Sequence, residues 1–288
     1  MNLPVYRFAP SPNGHLHLGH AYSAILNDEA AKQNGGRFLL RIEDIDTVRC
    51  TAQLQEDMLE DLRWLGLSWE TPVRKQSEHF NEYAKALEKL QSMGLVYKAY
   101  LTRAQIKRFV AEKDASATPW PRDPDGAPLY PGDNSVLSKQ EQEVLQNSDA
   151  AYALRLNMAK AIKLAGTSLT WNEAHHGAVQ ADPVAWGDVV LARKDTPTSY
   201  HLSVVVDDAL QGITHVLRGK DLYHATSVHR LLQNLLDLPE PHYEHHDLIL
   251  DKTGRKLAKS AKDTSLRELR ASGTTPAQIR ERLGLGTK

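Results

Sequence analysis

Cys50 is the only cysteine in the sequence. An intrachain disulfide is excluded, and so is a thiolate zinc cluster. A cytoplasmic setting is the simplest expectation. No apolar run approaches the ~18 residues that a membrane-spanning helix needs. The N-terminus carries no charged-then-apolar leader pattern, so no membrane partner is expected. Excess charge is missing too: 35 Lys and Arg stand against 36 Asp and Glu, a net charge of −1. Global charge therefore announces no nucleic acid. No internal repeat is visible, which excludes a solenoid. There is no Walker loop, because Gly219-Lys220 lacks the preceding glycine, and no Gly-x-Gly-x-x-Gly fingerprint. What is there is ordinary for a globular chain: 288 residues, 41% hydrophobic and 25% charged. That is room for one large domain or two modest ones. Nothing demands an oligomer, and a monomer is expected.

The most informative stretch is His17-Leu-Gly-His20. It follows an apolar run, Val5 to Phe8, that reads as a strand, and it precedes a helical pattern from His20 to Gln33. A strand, a Pro/Gly turn and a helix start together make a phosphate site, because free N–H groups and the helix dipole favour anions. His17 and His20 fall on one face of the first helical turn. A second signal lies far away in Lys256-Leu-Ala-Lys259-Ser260, after Asp251-Lys-Thr-Gly-Arg255. Lys252, Arg255, Lys256, Lys259 and Lys262 crowd one short stretch and read as a cationic clamp for phosphates.

The first hundred residues alternate strand and helix. Val5–Phe8 and Arg37–Ile42 read as strands of a β-α-β unit, with Gly35-Gly36 ending the helix between them. Ser77 reads as an N-cap, followed by a core-facing stripe of Phe80, Tyr83, Ala84, Leu87, Leu90 and Met93. Pro119, Pro121, Pro124, Pro128 and Pro131 then break the alternation. Ala151–Leu156 reads as a strand. Leu202–Val206 and Gly212–Leu217 read as buried strands. The crowd of His242, His245 and His246 near Glu244 reads as a solvated polar turn, with a metal site as the open alternative. A short final helix is expected at Gln278–Leu283. The fold class is α/β: a Rossmann-like nucleotide-binding domain with an inserted subdomain and a small helical C-terminal region. The expected division is 1–97 and 186–240 for the two halves of the catalytic domain, 98–185 for the insertion, and 241–288 for the lysine loop and helical end.

These residues together resemble the glutamyl branch of the class I aminoacyl-tRNA synthetases. Arg7-Phe-Ala-Pro-Ser-Pro12 is similar to the branch's opening, and Arg41-Ile-Glu-Asp-Ile-Asp46 to its second block. Tyr200-His-Leu-Ser-Val-Val-Val-Asp-Asp208 and Gly212-Ile-Thr-His-Val-Leu-Arg-Gly219 resemble the third and fourth. The lysine stretch resembles the branch's KMSKS-like loop, with Ala258 where a serine is usual. Only a short stretch follows Ser260, where full-length members continue into an anticodon-binding domain. The resemblance is therefore to a stand-alone paralogue that attaches glutamate to queuosine in the anticodon of tRNA(Asp). The branch often carries a zinc site in its insertion; here the matching positions are Ala99, Leu101, Tyr130 and Asn134, and no zinc is expected.

The resemblance implies ATP, Mg²⁺, L-glutamate and tRNA as cofactor and partners. It implies His17, His20, Lys256 and Lys259 as catalytic residues, which together with Gly19 bind ATP. Glutamate would be held by Arg7, Phe8, Ala9, Pro10, Ser11, Glu43, Tyr200 and Arg218. Arginine suits a carboxylate because its planar fork bonds both oxygens. Which of Arg7 and Arg218 takes the side-chain carboxylate stays open here. Glu43 is the candidate for the ammonium, and Tyr200 for a hydroxyl contact. Three other functions compete: a compact enzyme charging tRNA(Glu), a catalytically silent tRNA-binding paralogue, and a small nucleotidyltransferase sharing the His-x-Gly-His start.

Overall fold

The computed structural model describes residues 3–116, 118–249 and 264–286. Strand β1 (Val5–Phe8) and strand β2 (Arg37–Ile42) run parallel, Val5 opposite Arg37, with helix α1 (Leu18–Gln33) between them. The chain leaves α1 through a close backbone approach. A Cβ on Gly36 would stand 2.4 Å from the Pro4 carbonyl oxygen, so only glycine fits there. Helix α2 (Ala52–Trp64) leads to a short strand β3 (Arg74–Lys75), parallel to β2. Helix α3 (Phe80–Ser92) buries Tyr83, Leu87 and Leu90, while Met93 at its end is exposed. Ser77 does not cap it. A 3-10 turn over Gln76–Glu78 intervenes, His79 takes the N-cap position, and Ser77 gives its N–H and hydroxyl to Asp44.

The middle of the chain holds β4 (Val96–Ala99), α4 (Arg103–Asp114), α5 (Lys139–Gln146) and β5 (Ala153–Leu156). Next come α6 (Met158–Ala165), the hairpin β6 (Thr170–Glu173) and β7 (Gly177–Gln180), and β8 (Val190–Arg193). Strands β4, β5 and β8 form a small antiparallel sheet. The chain continues through α7 (Tyr200–Leu210), β9 (His215–Gly219), α8 (Thr226–Leu236) and β10 (His242–His246). Two short helices follow, α9 (Leu266–Ala271) and α10 (Pro276–Arg282).

Three further local expectations change. The run Leu202–Val206 is helix, not strand: every residue from Leu202 to Asp208 of α7 is buried. A helix closed in on all sides shows no polar face, so its sequence cannot be told from that of a buried strand. The strand expected at Gly212–Leu217 begins only at His215. His242–His246 is not a solvated turn but strand β10, parallel to β9, with His245 opposite Arg218. Alternation along the strand puts His245 on the face opposite His242 and His246, so the three rings do not converge.

One sheet runs β1-β2-β3 and another β7-β6-β10-β9. They meet along β1 and β9, where Thr214 N–H donates to the Val5 carbonyl at 3.1 Å and Val5 N–H to the Thr214 hydroxyl at 2.8 Å. Strand order therefore reads β3-β2-β1-β9-β10-β6-β7 across the molecule. Chain order turns back between β1 and β9. In a doubly wound α/β sheet that point opens a crevice at the carboxyl ends of the strands. Arg7 and Phe8 close β1, Arg218 and Gly219 close β9, and all four line one cleft.

Candidate functional site

The cleft encloses about 1280 Å³. Its floor carries Arg7, Phe8, Ala9, Pro10 and Ser11 from the end of β1. One wall is the start of α1, with His17, Gly19 and His20, and Glu43, Tyr200 and Arg218 close the other side. The described residues singled out from the sequence thus surround one space. Lys256 and Lys259 lie outside the described residues.

His17 is the N-cap of α1 rather than part of its first turn. Its Nδ1 accepts the Gly19 N–H at 3.1 Å, and His20 Nδ1 accepts the His17 N–H at 3.2 Å. The two rings pack with centroids 3.8 Å apart. This reciprocal capping box, made of imidazoles, has a chemical consequence. A nitrogen that accepts carries no proton, so each neutral ring holds its proton on Nε2 and offers a donor. The first turn contains no acidic residue, which leaves the helix dipole available to an anion. Gly19 sits close to the cap: a Cβ there would stand 3.0 Å from the His17 ring, which would have to give way by a few tenths of an ångström.

Below the cleft lies a buried charge network. Arg41 is fully buried and donates from Nη1 to Asp208 at 2.7 Å and from Nη2 to Glu43 at 3.0 Å. Arg7 Nε donates to Asp208 at 3.1 Å. Burial alone would raise the Asp208 carboxyl, yet the Arg7 and Arg41 guanidiniums hold it below the usual carboxylate range. Burial pushes Glu43 up, and Arg41 pulls only part of that back. Asp207, the neighbour on α7, accepts from Arg74, Gln76 and the Tyr83 hydroxyl. These groups clamp β1, β2, β3 and α3 onto α7. Asp207 and Asp208 stand in the third sequence block, but nothing in their spacing assigned them this role.

Arg218 is different. It is only 5% exposed. Its Nε donates to His245 Nε2 at 3.1 Å, and its Nη2 to Thr226 Oγ1 at 2.8 Å and the Leu222 carbonyl at 3.1 Å. Its Nη1 meets His229 Nδ1 at 3.2 Å and Tyr200 Oη at 3.4 Å. Burial, with the Arg218 charge behind it, lowers His229 well below its ordinary value and His245 to about 2. Both rings are therefore neutral. No acidic side chain among the described residues pairs with Arg218 within 4.0 Å. A buried cation that lines a cleft and touches only neutral groups keeps its charge available to an anion. Sequence reasoning missed His229 and Glu173 and placed His245 in a solvated turn; His229 looks like an ordinary core-face residue of an amphipathic helix.

The zinc positions offer nothing a zinc ion would take. Ala99 is buried at the end of β4, and Asp133 accepts the N–H groups of Tyr100 and Leu101 and the Tyr130 hydroxyl. Alanine, leucine, one phenol and one carboxamide do not fit the ion's thiolate and imidazole preference.

Comparison with known proteins gives a consistent result. The family model "tRNA synthetases class I (E and Q), catalytic domain" matches residues 5–286. A glutamyl-Q tRNA(Asp) synthetase of Rhodobacter capsulatus is 47% identical, over 98% of this chain and 100% of its own length. A glutamate–tRNA ligase of Parasynechococcus marenigrum is 35% identical over 95% of this chain but only 56% of its own length. The crystal structure of a glutamate–tRNA synthetase from Elizabethkingia anophelis superposes with a TM-score of 0.73 at 28% identity, over 94% of this chain and 54% of that one. The chain thus spans about half the length of those two longer proteins.

Proposed function

Because the chain belongs to the class I tRNA synthetase catalytic-domain family for glutamate and glutamine, we propose that it activates L-glutamate with ATP and transfers it to queuosine in the anticodon of tRNA(Asp). The observation that carries the amino-acid half is Arg218: a buried guanidinium in the cleft with no acidic partner among the described residues. We assign Arg218 to the side-chain carboxylate: glutamate supplies the missing charge there, and the carboxamide of glutamine cannot. Support for the acceptor is the full-length likeness to the Rhodobacter capsulatus protein, 47% identical over 98% of the chain.

In this reading Glu43 holds the ammonium of glutamate, while Arg218 and Tyr200 receive a carboxylate. Arg7 stands beside them with one side of its fork already given to Asp208. The α-carboxylate oxygen attacks the α-phosphorus of ATP. A bond forms between them, the bond to the β-phosphate oxygen breaks, and pyrophosphate leaves. Negative charge grows on the phosphate oxygens. The α1 start and the Nε2–H groups of His17 and His20 stabilise it with donors already in place. Lys256 and Lys259 are assigned to the phosphates by the resemblance of their sequence stretch. Mg²⁺, bound with the phosphates, adds charge neutralisation. A hydroxyl of the acceptor nucleoside then attacks the activated carbonyl carbon. AMP leaves with the electron pair, and the hydroxyl proton passes to phosphate or water. We assign segment 98–185 to acceptor contact, and expect a monomer working in the cytoplasm. No helix among the described residues is long and apolar enough to cross a membrane.

The test is ATP–pyrophosphate exchange with glutamate, glutamine and aspartate offered separately, with and without tRNA. Exchange with glutamate alone supports the reading. Equal exchange with glutamine removes Arg218 from its assigned role. No exchange with glutamate under any condition contradicts the reading.

A further inference from the structure

Glu173 and His245 are buried, outside the cleft lining, and unused by the mechanism above. Strands β9, β10 and β6 lie side by side, with Arg218 opposite His245 and Glu173 opposite Tyr243, two positions before His245 on β10. His245 Nε2 accepts from Arg218 Nε, so its proton is on Nδ1. That proton goes to Glu173 Oε2 at 2.8 Å. Glu173 is itself fixed by two more donors, the His245 backbone N–H at 3.0 Å and Trp171 Nε1 at 3.2 Å.

We propose that Glu173 and His245 are positioning residues that aim Arg218 at the substrate carboxylate, with Glu173 as a remote counter-anion acting through the neutral imidazole. This rests on the reading that the cleft takes glutamate. The interposed ring solves an electrostatic conflict. A carboxylate touching Arg218 would neutralise it and compete with the substrate. No anion at all would leave a buried cation uncompensated. An anion one imidazole away compensates the burial, because coulombic energy falls slowly with distance, yet leaves the guanidinium, whose contacts are all neutral, attractive to a carboxylate. Glu173 also fixes the tautomer. Without it, the ring is free to place its proton on Nε2, which would set N–H against N–H and push Arg218 aside.

Two measurements test this. In ¹⁵N spectra of the full chain, His245 should show a neutral ring protonated on Nδ1, and its resonance should shift when glutamate is added. A ring protonated on Nε2 overturns the proposal whatever the substrate. In ATP–pyrophosphate exchange, Glu173→Ala should raise the KM for glutamate on the order of 10- to 100-fold, with the KM for ATP within about twofold. His245→Ala should do the same and be partly rescued by added imidazole. Unchanged glutamate KM in both variants, or equal loss for glutamate and ATP without imidazole rescue, overturns it. Failure of the wild-type chain to activate glutamate contradicts the proposed function instead, and the tautomer measurement still decides the relay.

Discussion

At the scale of single residues, the two histidines of the α1 start join a structural contact to their proposed phosphate role. Their Nδ1 atoms cap the helix, and capping fixes the tautomer that presents Nε2–H to an anion. His20→Ala should therefore slow adenylate formation on the order of 10²-fold while glutamate affinity changes little, as read by exchange kinetics. Arg218→Ala should abolish activation at ordinary glutamate concentrations. Arg218→Lys should not restore it, since one ammonium cannot replace a fork held by five acceptors. Glu43 gives a pH signature. Burial raises its pKa, and only its ionised form can hold an ammonium. The KM for glutamate should rise as pH falls toward that raised value, and Glu43→Gln should start high and flatten the profile. The cleft residues of β1 and α1 were legible because their chemistry is local: a strand, a turn and a helix start are adjacent in sequence. Glu173 and His245 were not, because only strand pairing across the sheet brings them to Arg218.

At the scale of elements, α7 is the instructive case. Its apolar run reads equally as strand or helix, and the decision is tertiary: α3 and α8 both pack against it. Its last acids, Asp207 and Asp208, anchor the buried Arg7 and Arg41 and the half-buried Arg74. Asp208→Asn removes the negative charge that Arg7 and Arg41 share and should destabilise the fold by about 3–5 kcal/mol, measured by denaturant unfolding. Helix α2 holds a looser case, Asp61, which stands 3.7 Å from Arg270. Neither carboxylate oxygen of Asp61 has a hydrogen-bond partner, and burial pushes its pKa to about 6. A carboxyl raised from 3.8 to about 6 favours folding only while protonated. That contribution is complete below about pH 4 and lost as pH rises through 6. Asp61→Asn should therefore raise Tm at pH 8, by ~2–4 °C for each kcal/mol recovered, and lose the gain at pH 4.

At the scale of the whole molecule, the site follows from topology. Two sheets meet along β1 and β9, and the cleft opens where chain order turns back. The first sequence block ends β1 and the fourth ends β9, so the linear order of the blocks already held the two halves of the pocket. The third block supplies Tyr200 and the acids beneath. The central claim is that glutamate activated here goes to a modified anticodon nucleoside. The most direct test is transfer of labelled glutamate, with ATP and Mg²⁺, to tRNA(Asp) with and without queuosine and to tRNA(Glu). Label on queuosine-containing tRNA(Asp) alone is the predicted result. Label on tRNA(Glu), or on tRNA(Asp) lacking queuosine, would contradict it.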